Sequence, residues 1–270
     1  IAIDQLRRDR LFESSEAGLG RLKQAGRVFT EAQLAHGITT TCPGHAAILT
    51  GLNPVGHGLP SNSFLDRATG EVQYCVGSDD PSHQVLGGSK GRSPSNLRAD
   101  TLGDWLKAKN PEHRVFAVSA KDRAAITLAG VNPDGVYWYD AAQGLFTTSG
   151  YYQDQLPAYL LAFNGQDPAD DGFMRGFPER WTHSANGVRA DDYEGEDTRY
   201  ENVSGHPLRD GAFEDIAKQV YASPFVDEAT MALAQLMVTE EALGQGPALD
   251  LLTISLSATD TVGHLYGPRS

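Results

Sequence analysis

Asp100-Thr-Leu-Gly-Asp-Trp-Leu-Lys-Ala-Lys-Asn-Pro-Glu-His-Arg-Val-Phe-Ala-Val-Ser-Ala-Lys-Asp-Arg123 holds a helix, a stop and a buried strand in succession. Asp100–Ala108 reads as the helix, with Asp100 as its cap and Leu102, Trp105 and Leu106 on one face. Asn110-Pro111 ends it, since proline has no N–H to give and restricts the residue before it. Val115–Ser119 follows as a short apolar run of the kind that sits inside a sheet, and a charged triplet, Lys121-Asp122-Arg123, stands directly past its end.

The same alternation extends outward. Toward the N-terminus, Ile1–Asp4 is an apolar stub, Ser15–Gln24 a helix closed by Gly26, and Val28–Ala35 a strand candidate. Thr41-Cys-Pro-Gly-His-Ala-Ala-Ile-Leu-Thr50 reads as a loop entering a short helix. Toward the C-terminus, Val136–Tyr139 and Gly144–Thr148 are placed to pair as a hairpin. The stretch from 165 to 209 is rich in Gly, Asp, Glu, Arg and Asn with weak periodicity, so residues 136–224 are expected to form an insertion or cap. It includes a glycosylation sequon, Asn202-Val-Ser204, expected to be unused. An amphipathic helix over 227–243 and a core strand, Leu249–Ser257, complete the pattern. Strand and helix repeated in this way predict an α/β three-layer sandwich around a largely parallel sheet, occupying 1–270 with the cap inserted. The chain opens on Ile1 without Met and stops at Ser270 just past a Gly-Pro turn, so we expect a stretch of a longer protein, incomplete at both ends.

Composition narrows the partners. There are 35 Asp plus Glu against 22 Lys plus Arg, a net charge of −13, which argues against a nucleic-acid backbone as ligand. No apolar run reaches the ~20 residues that span a bilayer. An acidic protein that acts on an anion must concentrate positive charge locally, and metal ions do this most simply. The two cysteines, Cys42 and Cys75, are too few for a disulfide scaffold and match no zinc spacing; a single bridge between them is left open but not favoured.

Four polar clusters fall at the ends of predicted strands, where open α/β sheets bind ligands. Asp4 is either a turn-capping aspartate or a carboxylate ligand for a divalent cation. Thr41 is either a helix N-cap or a hydroxyl facing the free N–H groups and positive dipole end that suit a phosphoryl group. As a nucleophile it needs a cation beside it, because its own pKa is very high. Lys121 and Arg123, two apart, project to one side if the segment is extended and would clamp non-bridging phosphoryl oxygens; otherwise they belong to a solvated loop. Asp260-Thr-Val-Gly-His264 offers an oxygen and an imidazole nitrogen four apart, a mixed set that zinc accepts, although such pairs are common.

Taken together and in order, five segments resemble the alkaline phosphatase superfamily, in particular its single-domain bacterial branch with a threonine nucleophile. They are Ile3-Asp4-Gln5-Leu6-Arg7, Thr39-Thr-Thr-Cys-Pro-Gly-His-Ala-Ala-Ile-Leu-Thr-Gly51, His57-Gly-Leu-Pro-Ser-Asn62, Ser119-Ala-Lys-Asp-Arg-Ala-Ala-Ile126 and Ser257-Ala-Thr-Asp-Thr-Val-Gly-His-Leu-Tyr-Gly-Pro268. The resemblance implies two zinc ions, with Asp4 and Thr41 ligating one and Asp260 and His264 the other. It makes Thr41 the nucleophile, has Asn62, Lys121 and Arg123 touch the transferred phosphoryl oxygens, and leaves His45 and His57 as framework. The family completes its two-metal site with an Asp-His-Gly segment and a further distant histidine. Neither is present in these 270 residues, so those ligands are expected beyond Ser270.

The resemblance thus implies zinc-dependent hydrolysis of small phosphate monoesters through a phosphothreonine on Thr41, which water activated at zinc then releases. It also implies a periplasmic or secreted protein. Lys121 and Arg123 favour a monoester, which has an extra charged terminal oxygen. The alternatives are a phosphodiesterase or nucleotide pyrophosphatase on the same frame, and a non-catalytic relative that binds phosphate or metal.

Overall fold

A computed structural model describes residues 1–9, 18–165, 171–182 and 205–267. In chain order its elements begin with β1 (Ala2–Ile3), α1 (Gly18–Ala25), α2 (Thr41–Thr50), α3 (Pro54–His57), β2 (Ser63–Leu65), β3 (Val72–Tyr74), β4 (Gly77–Ser78) and β5 (Gly91–Arg92). They continue with α4 (Leu102–Lys109), β6 (Arg114–Ser119), α5 (Asp122–Ala129), β7 (Gly135–Asp140), β8 (Leu145–Thr147) and α6 (Ala158–Asn164). The last are β9 (Arg180–Trp181), β10 (His206–Pro207), α7 (Phe213–Tyr221), α8 (Phe225–Glu240), β11 (Asp250–Leu256) and α9 (Ala258–Tyr266).

The central sheet runs β1-β11-β6-β7-β8, with every pair parallel except the β7–β8 hairpin. Its strands are apolar on both faces, and their two-residue alternation sorts side chains into two cores. Phe116, Val118, Tyr137, Tyr139 and Ile254 face one layer, packed by Leu160 of α6, Val220 of α7 and Leu233 and Met237 of α8. Ala117, Val136 and Trp138 face the other, packed by Cys42 and Ala46 of α2 and Ala125 and Ile126 of α5. Full burial of each large side chain contributes about 1.5–3 kcal/mol, which is why helices cover both faces. The expected α/β sandwich is therefore present.

Register sets up the site. Ile3 pairs with Leu256, and Ser255 with Ser119, so β1, β11 and β6 end level with one another. Asp4 N–H donates to Leu256 O at 2.9 Å, locking the first of these ends to the second. The residues that leave the three strands, Asp4, Ser257 and Ala120, consequently start from one edge.

Several local expectations change. Val28–Ala35 forms no strand: it is irregular and exposed, with Phe29 and Leu34 in solvent and paired with no strand. The expected helix over 15–24 is described from Gly18 to Ala25, and Gly26 N–H closes it on Leu22 O at 2.8 Å. Helix α4 is capped by Thr101 rather than Asp100, through a capping box with Asp104, and it buries Gly103 and Asp104 rather than Leu102 and Trp105. Gly103 permits this because a Cβ there would meet Val115 Cγ1 at 2.8 Å. The β7–β8 hairpin forms as the apolar pattern implies, with Tyr139 opposite Phe146. It lies in the central sheet, so the sheet extends past residue 136 into the stretch assigned to a cap. The Asn202 sequon falls outside the described residues.

Candidate active site

Helix α2 begins at Thr41, with Thr40 as a cap that makes no side-chain bond. Thr41 is thus the first helical residue rather than the cap, and its hydroxyl is free for another partner. It donates to Asp4 Oδ2 at 3.1 Å. Pro43 stands in the first turn, where a missing N–H costs nothing. The Cys42 N–H is accepted by Asn62 Oδ1 at 2.9 Å. Because its carbonyl oxygen is thereby held, what the Asn62 side chain has left to offer a ligand is its NH2 donor group.

Lys121 caps the start of α5, which begins directly at Asp122, so the segment after β6 is helical rather than extended. The premise that Lys121 and Arg123 project to one side as in a strand is therefore corrected. An acidic residue in the first turn, Asp122, complements the helix dipole and helps start the helix early. Lys121 runs inward, almost wholly buried, and its Nζ donates to Asp4 Oδ2 at 2.6 Å and to Asp260 Oδ2. Burial pushes the Asp4 carboxyl up, but Lys121 outweighs it and holds Asp4 below the ordinary aspartate value.

Asp260 sits in the first turn of α9, and His264 Nε2 lies 3.4 Å from its Oδ1, one turn on and largely exposed. Ser257, the N-cap of α9, makes no side-chain cap of its own. The N-terminus is held from outside: Asp227 of α8 accepts from Ser257 N–H at 2.6 Å and Ala258 N–H at 3.0 Å. His45 ties α2 to the sheet, its Nδ1 on Thr41 O at 2.9 Å and its Nε2 on Ser255 Oγ at 2.7 Å. A carbonyl can only accept, so Nδ1 carries the hydrogen and Nε2 accepts from the serine. Burial keeps this histidine below its usual pKa. His57 is fully buried and accepts the Leu59 N–H at 3.2 Å on Nδ1.

Arg123 reaches a different set. Its Nη1 donates to Tyr74 Oη at 3.3 Å, and Tyr74 Oη donates to Asp122 Oδ1 at 2.7 Å. Arg92 Nε also donates to Asp122, and its guanidinium stacks over the Tyr74 ring at 4.7 Å. A cleft of about 670 Å³ opens beside this group, lined among others by Lys90, Lys121, Asp122, Arg123, Trp138 and Tyr221. Cys42 and Cys75 form a disulfide, Cα–Cα 6.5 Å, contrary to the sequence-based preference for unpaired thiols. The reason is Asn62, which accepts from Cys42 N–H on its side chain and from Cys75 N–H on its backbone oxygen at 2.9 Å, bringing the two together.

The structure thus joins Asp4, Thr41, Lys121 and Asp260 through direct contacts, with His264 attached through Asp260, and links Asn62 through Cys42. Tyr74, Arg92 and Asp227 were not singled out from the sequence. Their partners lie 48, 30 and 30 residues away, and no local pattern marks them. As for a metal, the donor set of carboxylates, a hydroxyl and an imidazole fits zinc in kind. Among the described residues no group of three His, Cys, Asp or Glu comes together, so the set is partial in number.

Comparison with known proteins places this geometry. The family model for type I phosphodiesterase / nucleotide pyrophosphatase matches residues 1–270. Alkaline phosphatase PafA of Elizabethkingia meningoseptica is 32% identical over all of this chain, which covers 52% of PafA. Alkaline phosphatase PhoV of Synechococcus elongatus is also 32% identical, with 51% of its length covered. The crystal structure of wild-type PafA superposes with a TM-score of 0.85 at 30% identity, covering all of this chain and 54% of that one. The chain therefore spans about half the length of these relatives. A second PafA structure, TM-score 0.84 and 28% identity, is of a variant substituted at a threonine, an asparagine, a lysine and an arginine. Its threonine and asparagine are spaced as Thr41 and Asn62 are here, and its lysine and arginine as Lys121 and Arg123.

Proposed function

Because the chain belongs to the type I phosphodiesterase / nucleotide pyrophosphatase family, we propose that it hydrolyses small phosphate monoesters by attack of Thr41 on phosphorus. One observation carries this reading. The Thr41 hydroxyl stands at the N-terminus of α2, not spent on a cap, and is hydrogen-bonded to Asp4, which is in turn bonded to Lys121. A hydroxyl beside N-terminal helix N–H groups, with cations near, is where a phosphoryl group is held best. The spacing shared with the four residues substituted together in PafA supports the same assignment.

Asp4 and Thr41 would hold one zinc ion, and Asp260 and His264 a second, with further ligands outside this set of residues. A bound cation supplies Lewis-acid stabilisation and lowers the pKa of the threonine hydroxyl. The remaining work belongs to the chain. The Thr41 proton points at Asp4 Oδ2. Asn62 offers its NH2 group, and the free donors of Arg123 offer charge-assisted hydrogen bonds to non-bridging oxygens. Lys121 neutralises the two carboxylates that would otherwise repel an incoming anion. The Thr41 Oγ–P bond forms as the ester P–O bond breaks; water then attacks phosphorus and returns the hydroxyl. Among the described residues no helix is long and apolar enough to cross a membrane. A disulfide beside the nucleophile supports an oxidising compartment, periplasmic or extracellular.

The test is a pair of measurements on the zinc-loaded protein. Thr41→Ala should lower monoester turnover by at least about 10³-fold, the scale of losing a nucleophile, with turnover compared at matched zinc content. Rapid acid quench during turnover should trap phosphate on the peptide holding Thr41. Undiminished turnover in Thr41→Ala would sink the reading. Diester hydrolysis faster than monoester hydrolysis would keep Thr41 and make the protein a phosphodiesterase.

A further inference from the structure

Arg123 is one of the cations that line the open cleft, beside Lys90, Arg92 and Lys121. Its neighbour in sequence, Asp122, is well placed to do so, and yet the two are kept apart: Arg123 Nη1 lies 3.9 Å from Asp122 Oδ1, beyond hydrogen-bond range. Two side chains maintain the gap. Tyr74 Oη stands between them, donating its one hydrogen to Asp122 Oδ1 and accepting from Arg123 Nη1. Arg92 occupies the other carboxylate oxygen, Oδ2, and covers the Tyr74 ring. Hence two arginines face a single carboxylate, and the surplus positive charge resides on Arg123. Arg123 Nε is buried without a partner among the described residues, so the guanidinium keeps donors in reserve. Burial first, and then the adjacent Asp122 charge, push the Tyr74 phenol far above its ordinary pKa, so it remains a neutral donor–acceptor relay.

We infer that Tyr74, with Arg92 and Asp122, positions Arg123 for the phosphoryl group of a monoester, making Tyr74 a specificity-determining residue of the site. The inference rests on the phosphoryl-binding role proposed above for Arg123. Asp122 alone would draw the Arg123 fork onto itself. Tyr74 sets the distance, Arg92 satisfies the carboxylate, and Arg123 is left aimed and charged. A diester, which lacks the extra anionic oxygen, gains little from this arrangement.

The test is a double-mutant cycle in the zinc-loaded full chain, with p-nitrophenyl phosphate as monoester, bis-p-nitrophenyl phosphate as diester and inorganic phosphate as competing ligand. Tyr74→Phe removes one oxygen and should preserve the melting temperature. It should lower monoester kcat/KM and phosphate affinity together, by about 10-fold for one lost hydrogen bond beside a charge, and change diester kcat/KM by less than about twofold. In an Arg123→Ala background the same substitution should cost less than about twofold on monoester, because nothing remains to be positioned. Arg92→Gln should show the same signature, as Asp122 is then free to capture Arg123. Equal losses of Tyr74→Phe in both backgrounds, or equal losses on monoester and diester, would overturn the inference while leaving Arg123 in its role. An Arg123→Ala protein as active as the parent on monoester would overturn that role itself, and this inference with it.

Discussion

Lys121 spends its charge inside the protein. Its ammonium is buried between the carboxylates of Asp4 and Asp260, which arrive from two different strand ends, so it compensates two anions at once. Removing one member of a buried charge cluster leaves the others uncompensated, at a typical cost of about 3–5 kcal/mol. Lys121→Met should therefore lower the urea-unfolding stability of the chelated protein by that order. Added zinc should recover part of the loss, since a cation on each carboxylate offsets the charge the ammonium had balanced. A chelated variant as stable as the parent would show that Asp4 and Asp260 do not need Lys121. Asp4, Lys121 and Asp260 were legible in the sequence because each stands just past the end of an apolar strand run, and Thr41 because a helix start with Pro43 in its first turn follows it. Tyr74 was not, since what gives it meaning is Asp122, 48 residues on.

The elements carry a second kind of dependence, in which one helix is finished by another. Helix α9 holds Asp260 and His264 but has no cap of its own, and Asp227 on α8 supplies one through two backbone N–H bonds. Asp227→Ala should cost about 1–2 kcal/mol, the usual worth of a cap, and loosen the Asp260–His264 turn. Burial pushes Asp227 up to about 6, against the pull of the two N–H groups. The folded state then binds a proton that the unfolded state, near 3.8, has released. This group's contribution to stability is thus complete below about pH 4 and declines as pH rises toward 6. Asp227→Asn keeps an acceptor and loses the charge, so its melting temperature relative to the parent should climb across that window in chelated protein. Parallel pH curves would show that Asp227 does not titrate there. A largely parallel sheet and its strand ends were readable at this scale, because β6, β7 and β11 are apolar on both faces; the strand order was not. Residues 28–35 misled because their apolar residues imitate a strand while the segment pairs with none, and pairing is a property of two segments.

At the scale of the whole molecule, a chain of net charge −13 assembles its candidate site from segments far apart in sequence. One covalent tie crosses that assembly. The Cys42–Cys75 bridge closes a sequence separation of 33 residues between the residue after Thr41 and the residue after Tyr74. The bonds of Asn62 to both cysteine N–H groups run alongside it. Three parts of the candidate site therefore hang on one link: Thr41, Asn62 and Tyr74. A loop of this length constrains the unfolded chain by about 3–4 kcal/mol in the chain-entropy account. Cys42→Ser/Cys75→Ser should accordingly lower stability by that order. On the roles proposed for Thr41 and Arg123, losing the link should also reduce monoester kcat/KM at temperatures well below melting, with phosphate affinity falling in parallel. Dithiothreitol treatment of the parent, with thiols counted by alkylation before and after, should reproduce both losses and reverse on reoxidation. Lost stability with undiminished turnover would make the bridge a brace for the fold alone, and would leave Asn62 to hold Thr41 and Tyr74 in register by hydrogen bonds.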